Sequence, residues 1–162
     1  MATKNTTIKF VKKLKKENHI TLTSHGLDIP NSYIEKSSNC FKAAQLLHEN
    51  NLYENSISES YYAVYNYLLA ILFRIGVKSQ NHKGSIILFD VLFCLPRISS
   101  TISNLKEKRI DYQYYVAKDN DCESDSNNCL LEAKDVIKNL KSIFNNLNDD
   151  EIRKLRKKLE DV

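Results

Sequence analysis

The stretch YENSISESYYAVYNYLLAILFRI, residues 53–75, decides the fold class of this chain. Its apolar side chains recur at three- and four-residue steps, the period of an α-helix, and further apolar residues fill most of the remaining circumference. Such a helix is expected in the centre of a helical bundle, with Gly76 ending it. We assign to packing, rather than to stacking on bases, its tyrosines Tyr61, Tyr62, Tyr65 and Tyr67.

Helical spacing continues on both sides of this central segment. The other segments with this spacing run from a cap at Asn31 or Ser32 to about Glu49, from Gly84 to Pro96, from Ile98 to about Tyr112, and from about Asn128 to Leu147. With three Gly and two Pro in 162 residues, the chain has too few turn-forming residues for many short strands. The predicted fold is therefore all-α, an antiparallel up-and-down bundle of four to five core helices.

The polar stretches between the helices predict the turns and the domain limits. Lys78–Lys83 is expected to form the turn after the central helix, and the acidic, Asn/Ser-rich stretch Asp119–Asn128 is expected to form a loop. Residues 1–30 are interpreted as a basic appendage with a short amphipathic helix and a linker. Residues 31–148 form the predicted bundle, and residues 149–162 form a charged C-terminal helix.

Length and composition favour one cytoplasmic domain, since 42% of the residues are apolar and no stretch reaches the ~18 apolar residues of a membrane-spanning helix. The lysine-rich N-terminus lacks the apolar core of a signal peptide. The four cysteines show no CxxC spacing, which favours free thiols, with Cys40 and Cys94 as small core residues and no metal site. No P-loop, GxGxxG, HExxH or GxSxG motif occurs, so no cofactor is expected.

The formal net charge of +4 is unevenly distributed, because both ends of the chain are basic. Six lysines stand against Glu17 alone in the first twenty residues. Five basic residues crowd the last dozen, namely Arg153, Lys154, Arg156, Lys157 and Lys158. Basic ends of this kind either contact phosphate or form solvated helix faces, and the second is more common in soluble proteins.

Four phrases, in this order, resemble the small HEPN proteins of bacteria and archaea. They are SYIEKSSNCFKAAQLLHENNLYENSISESYYAVYNYLLAIL from Ser32, NHKGSIILF from Asn81, KRIDYQYY from Lys108, and LLEAKDVIKNLKSIF from Leu130. The resemblance covers about residues 32–147. Its most specific parts are the SYYAVYN stretch, the turn from His82 to Gly84 and the pair Asp111-Tyr112 after a basic patch.

This resemblance implies a helical bundle, usually dimeric, often encoded beside a minimal nucleotidyltransferase in toxin–antitoxin or defence systems. Many similar proteins cleave RNA without a metal, using an Arg and a His four to six residues apart that meet across the dimer interface. The Arg stabilises negative charge that develops on the phosphorus, and the His moves the proton of the ribose hydroxyl.

The sequence departs from that pattern after Arg109, where Tyr114 and Tyr115 occupy the positions expected for the His. A phenol, with an ordinary pKa of about 10, is a poor proton acceptor at neutral pH. We therefore predict a non-catalytic component that pairs with a nucleotidyltransferase or binds RNA or a nucleotide. The alternative is a metal-independent endoribonuclease, for which the resemblance gives three catalytic candidates, Arg109, Asp111 and Tyr115.

The residues predicted to bind RNA or a nucleotide are His82, Lys83, Arg109 and Tyr112. Bundle topology is expected to bring the end of one helix and the start of another to one rim, beside a homodimer seam. Two structural interpretations stay open. His82 caps or braces its helix, and Arg109, Asp111 and Tyr112 form a network in which the carboxylate orients the guanidinium.

Overall fold

The computed structural model of the protein describes residues 4–24, 26–114 and 121–162. These residues form seven helices and one two-stranded antiparallel ladder, and the predicted all-α fold is confirmed. The elements in chain order are α1 (Lys4–Lys16), β1 (Ile20–Leu22), α2 (Asp28–Glu49), α3 (Tyr53–Arg74), β2 (Val77–Ser79), α4 (His82–Phe93), α5 (Pro96–Tyr114), α6 (Cys122–Asn146) and α7 (Asp149–Asp161).

Helix α3 is the central element of the bundle. It packs against α2, α5 and α6, and from Ser60 to Leu72 nearly every side chain is buried. The predicted span, residues 53–75, agrees with the observed Tyr53–Arg74 to within one residue. Apolar residues around most of a helix are stable only when neighbours cover several faces, which explains the central position.

Helix α2 begins at Asp28, before both predicted caps, Asn31 and Ser32, and the prediction of those caps is wrong. Pro30 lies in the first turn of α2, where a missing backbone N–H costs nothing because the first N–H groups of a helix have no partner within it. The Ser32 hydroxyl donates to the carbonyl of Asp28, 3.1 Å away, inside the helix. Pro30 therefore lies inside the first turn of this helix rather than ending the segment before it.

The segment before α2 is part of the core in the structure, in contrast to the expected appendage. Val11, Leu14 and Ile20 are 0–4% exposed and belong to the main apolar cluster. Strand β1 pairs with β2 from Ile20 opposite Ser79 to Leu22 opposite Val77. The predicted turn after the central helix thus contains a strand, which is too short to show a β-type alternation in the sequence.

Pro96 begins a helix, whereas it was expected to mark the end of the preceding one. Helix α4 ends at Phe93, Cys94 adopts a left-handed conformation with φ of 56°, and α5 begins at Pro96. Cys94 is exposed, so its assignment to the core is also wrong, whereas Cys40 is half-buried. A left-handed residue reverses the chain at the end of α4, and proline is suited to the first position of α5.

Helix α6 begins within the stretch that was expected to be a loop. The Asp121 side chain accepts a hydrogen bond from the Ser124 backbone at 3.1 Å and caps the helix, and Glu123 and Asp125 lie in its first turn. Carboxylates are favoured at this end because the helix dipole is positive there. The same acidic composition that suggested a loop therefore stabilises the start of α6.

The C-terminal helix α7 holds the N-terminal segment in place. Asn148 caps α7 by accepting from the Glu151 backbone at 2.9 Å. Arg156 Nη1 then donates to the carbonyls of Thr23, Ile75 and Gly76 at 3.1–3.3 Å. Gly76 has a φ of 72°, and a side chain there would also meet Arg156.

In the part of the chain that the structure describes, no helix is long and apolar enough to cross a membrane.

Candidate functional site

The first half of α3 and the start of α4 meet through stacked aromatic rings. The imidazole of His82, the first residue of α4, stacks on the Tyr65 ring with centroids 4.0 Å apart and planes at 11°. Its Nδ1 lies 2.7 Å from the Tyr61 hydroxyl. Asn81 positions His82 because its side chain caps α4, accepting from the Gly84 backbone at 2.7 Å.

The Tyr61 hydroxyl is the donor in its bond with His82. Tyr61 is completely buried, and burial raises the pKa of its phenol well above the usual value, so the hydroxyl keeps its proton. If Nδ1 were the donor instead, the buried phenol proton would have no acceptor. We therefore assign the neutral imidazole with its hydrogen on Nε2.

Arg109, near the end of α5, contacts two tyrosines of α3, and one of them, Tyr61, is also the hydrogen-bond partner of His82. Its Nη1 donates to the Tyr62 hydroxyl at 3.1 Å and to Gln113 Oε1 at 2.7 Å. The guanidinium carbon lies 5.4 Å from the centroid of the Tyr61 ring and 5.5 Å from that of Tyr62. We call Tyr61, Tyr62, Tyr65, His82 and Arg109 the Tyr-His-Arg cluster.

The guanidinium of Arg109 has a hydrogen-bond donor that the described residues leave unused. Its Nε is buried and has no hydrogen-bond partner among the described residues. A buried charged donor of this kind is normally satisfied, and an unsatisfied one is costly. An anion that enters beside Arg109 would remove this cost.

The electrostatic environment of His82 is positive. Burial lowers the pKa of its imidazole, and the charges of Arg109 and Lys106 lower it further. Lys106 and Arg109 are one helical turn apart on α5, so both cations act on the same site. A bound phosphate would offset this positive charge and favour a proton on His82.

The remaining predicted residues lie elsewhere. The Tyr112 hydroxyl donates to Asp125 Oδ2 at 2.7 Å, and Lys108 forms an ion pair with the other oxygen of the same carboxylate. Burial raises the pKa of Asp125, but the hydrogen bonds from Lys108 and Tyr112 outweigh it and leave that pKa below its ordinary value. This second group of residues joins α5 to α6.

Asp111 does not orient Arg109 in the structure. It is exposed, and Tyr62 and Gln113 hold the guanidinium instead. Lys83 is exposed as well, with its ammonium 5.9 Å from the centre of the Phe10 ring on α1. Tyr115 lies outside the described residues.

The structure thus brings together two of the predicted site residues, His82 and Arg109, through the shared neighbour Tyr61. Sequence reasoning missed Tyr61, Tyr62, Lys106 and Gln113 as members of the site. The sequence did carry a signal for Lys106 and Gln113, because they lie three and four residues from Arg109 and so share its face of the helix. The tyrosines carried no separate signal, since their spacing is equally that of core residues.

The cysteines lie apart from this cluster. All four have free thiols, and burial raises the pKa of Cys129 to about 12. Within the described ranges no group of three or more His, Cys, Asp or Glu side chains is placed to hold a metal ion.

Comparison with known protein families identifies the family of this chain. Residues 31–160 match the family model described as HEPN domain, a span that runs from the first turn of α2 into α7 and contains the whole Tyr-His-Arg cluster. No match was found among curated proteins. Because the matched span covers well over half of the 162 residues, the chain belongs to the HEPN domain family.

Proposed function

We propose that this HEPN protein binds RNA or a nucleotide through a phosphate at the Tyr-His-Arg cluster. The observation that carries the proposal is the buried Arg109 Nε, which has no partner among the described residues and belongs to a guanidinium that shares the neighbour Tyr61 with the His82 imidazole. Both groups are donors suited to phosphate oxygens, and Tyr62 and Gln113 hold the guanidinium in one orientation. In the cell, we propose a cytoplasmic toxin–antitoxin or defence component that pairs with a nucleotidyltransferase.

The test compares Arg109→Ala with Arg97→Ala in binding to labelled single-stranded RNA and to ATP. Arg97 is an exposed residue of the same helix, outside the cluster, so its loss removes an equal charge. Arg109→Ala is expected to weaken binding by about 1–3 kcal/mol, the scale of a charge-assisted contact, with little loss of helix content. If both variants weaken binding equally, the interaction is non-specific attraction to a basic surface and the proposal fails.

A second candidate function, metal-independent RNA cleavage, is favoured by the position of His82. This reaction requires the other tautomer of His82, in which Nδ1 carries the proton and the hydrogen bond from the Tyr61 hydroxyl is given up. Nε2 would then accept the proton of a ribose 2′-hydroxyl, whose oxygen attacks the phosphorus. The 5′-oxygen would leave with a proton from water, giving a 2′,3′-cyclic phosphate, and the resulting hydroxide would take the proton held by His82. Arg109 would stabilise the negative charge on the phosphorane.

Cleavage of RNA in EDTA distinguishes the two functions. Activity that is lost in both His82→Gln and Arg109→Ala, but kept in Arg97→Ala, would support the ribonuclease. Binding without cleavage by the wild type would leave the non-catalytic function.

Self-association belongs to the same proposal. Tyr61, Tyr65 and Tyr67 are buried within one chain, so the proposal of a homodimer rests on the family resemblance. We expect light scattering at tens of micromolar, on the order of usual assay concentrations, to return twice the mass of the chain. A monomer under these conditions would exclude a dimer-seam site.

A further inference from the structure

A separate groove opens between α2 and α6, above α3, and none of the Tyr-His-Arg cluster lines it. Its volume is about 400 Å³. Tyr67 of α3 contributes to its lining and is buried, whereas the apolar residues Ile34, Phe41 and Ile137 are only half-buried. The two helices therefore leave apolar surface in contact with solvent.

Three lysines surround this groove. Lys42 lies on α2, and Lys134 and Lys141 lie on α6. All three are exposed, and none forms an ion pair or a side-chain hydrogen bond with another described residue. Positive charge that no described residue pairs, placed around an apolar groove, is complementary to a ligand with an anionic end.

Two hydroxyl groups inside the groove are able to form hydrogen bonds with a ligand. Ser37 and Tyr67 line it with only 1% and 5% of their surface exposed. Neither hydroxyl has a hydrogen-bond partner within residues 4–24, 26–114 and 121–162. Burial raises the pKa of Tyr67, so its hydroxyl remains a donor at neutral pH.

The size of the groove favours a small molecule over a protein. Ligand pockets typically have volumes of about 300–1,000 Å³, a range that includes this groove. A stable protein interface takes roughly 20–30 residues on each side, whereas ten residues line the groove.

We propose that this groove binds a small amphipathic anion, with an acyl or aromatic body and one phosphate or carboxylate group. The body lies against Phe41, Tyr67 and the isoleucines, and the anionic group lies among the three lysines. The proposal is independent of phosphate binding at the Tyr-His-Arg cluster, because the two sites share no residue.

Calorimetric titration with two probes tests the proposal and shows whether the apolar part of the ligand is aromatic or acyl. 1-Naphthyl phosphate represents an aromatic body, and dodecanoate below its micelle concentration represents an acyl body. Inorganic phosphate and 1-naphthol serve as charge-only and body-only controls. We expect at least one amphipathic probe to bind with a Kd below about 1 mM, and both controls to bind at least about tenfold more weakly.

The double variant Lys134→Gln/Lys141→Gln is expected to weaken binding of the amphipathic probe at least about fivefold. The matched control is Lys138→Gln, since Lys138 is exposed on the same helix but does not line the groove. Ser38→Trp, at an exposed lining position, should block the groove and abolish binding.

Three results would overturn the proposal: no binding of either probe, binding of inorganic phosphate as tight as that of the amphipathic probe, or equal loss in Lys138→Gln. Arg109→Ala is expected to leave probe binding unchanged. Loss of RNA binding in Arg109→Ala with intact probe binding, and the reverse pattern in the lysine variant, are expected if both proposals hold. Intact RNA binding in Arg109→Ala would contradict the proposed function alone, and intact probe binding in the lysine variant would contradict the groove proposal alone.

Discussion

Tyr61 connects the two charged members of the candidate site. Its hydroxyl donates to His82, and its ring lies under the guanidinium of Arg109. Because Tyr61 contacts both His82 and Arg109, the two contacts together restrict the distance between these residues more than either contact alone. The position of His82 and Arg109 relative to one another therefore depends on a residue of the core helix.

Tyr61→Phe should lower the free energy of unfolding by about 0.5–1.5 kcal/mol, because Nδ1 of the half-buried His82 loses its donor. In a domain of this size that corresponds to a fall in Tm of roughly 1–6 °C by thermal circular dichroism. The control is Tyr53→Phe, whose hydroxyl bonds to Asn51 at an exposed position. An equal shift in both variants would mean that the Tyr61–His82 bond contributes nothing beyond a surface contact.

The imidazole of His82 predicts a pH dependence of stability. Its pKa in the folded protein is lowered by burial and by Arg109 and Lys106, whereas the unfolded chain titrates near 6.5. Below pH ~6.5 the unfolded state binds a proton first, so stability is lost as the pH falls from ~6.5 toward the folded pKa. The wild type should therefore lose more Tm between pH ~7.5 and ~5.5 than His82→Gln.

The other three histidines are present in both proteins and cancel in this comparison. The Asp125 carboxylate, whose pKa is lowered, loses its stabilising effect only in the acid range below about 4, outside the window. Parallel pH profiles for wild type and His82→Gln would contradict the assignment of a neutral His82.

The candidate site shows what the sequence could and could not predict at this scale. Arg109 and His82 were identifiable because both fall in phrases typical of the family. The partner Tyr62 was not, since it is 47 residues from Arg109 and its spacing is that of a core residue. Asp111 was chosen because it belongs to the Asp-Tyr pair of the family resemblance, but residues two apart on a helix, such as Arg109 and Asp111, point in different directions.

Among the elements, α4 owes part of its stability to the side chain that caps its first turn. The cap residue Asn81 accepts from Gly84 and lies directly before His82. Asn81→Ala should cost about 0.5–2 kcal/mol of stability, measured by urea unfolding, and Asn81→Asp should restore most of it. The same substitution inside a helix, Asn139→Ala, is the control and should be neutral or slightly stabilising. A cost as large at Asn139 would contradict capping as the cause.

Helix positions were predictable from the sequence because a period of 3.6 repeats several times within each segment. The β-ladder was not, since strands of three residues, such as Ile20–Leu22, complete barely one alternation. The start of α6 was missed for a different reason. An aspartate followed by Asn and Ser residues is typical of loops and of helix caps alike, and only the bond from Ser124 to Asp121 distinguishes them.

For the whole molecule, Arg156 is the main link between the two ends of the chain. Arg156→Ala should lower the free energy of unfolding by about 1–3 kcal/mol, because three carbonyls lose a charged donor. Hydrogen exchange should rise first in β1 and β2, while α3 stays protected. The control is Arg153→Ala on the same helix, an exposed residue whose loss should change stability by less than about 0.5 kcal/mol. Uniform loss of protection would show that α7 does not act on the ladder locally.

The link between the ends also determines when the fold can be completed during synthesis. Arg156 and Thr23 are 133 residues apart, and Lys15 donates to the carbonyl of Leu159, 144 residues further along. At ~5–20 residues per second, the ribosome needs roughly 7–27 s to reach Arg156 after Thr23 has been made. During this interval the carbonyl of Thr23 and the ammonium of Lys15 lack their partners on α7, so the hydrogen bonds that join the N-terminal segment to α7 form only after α7 has been made.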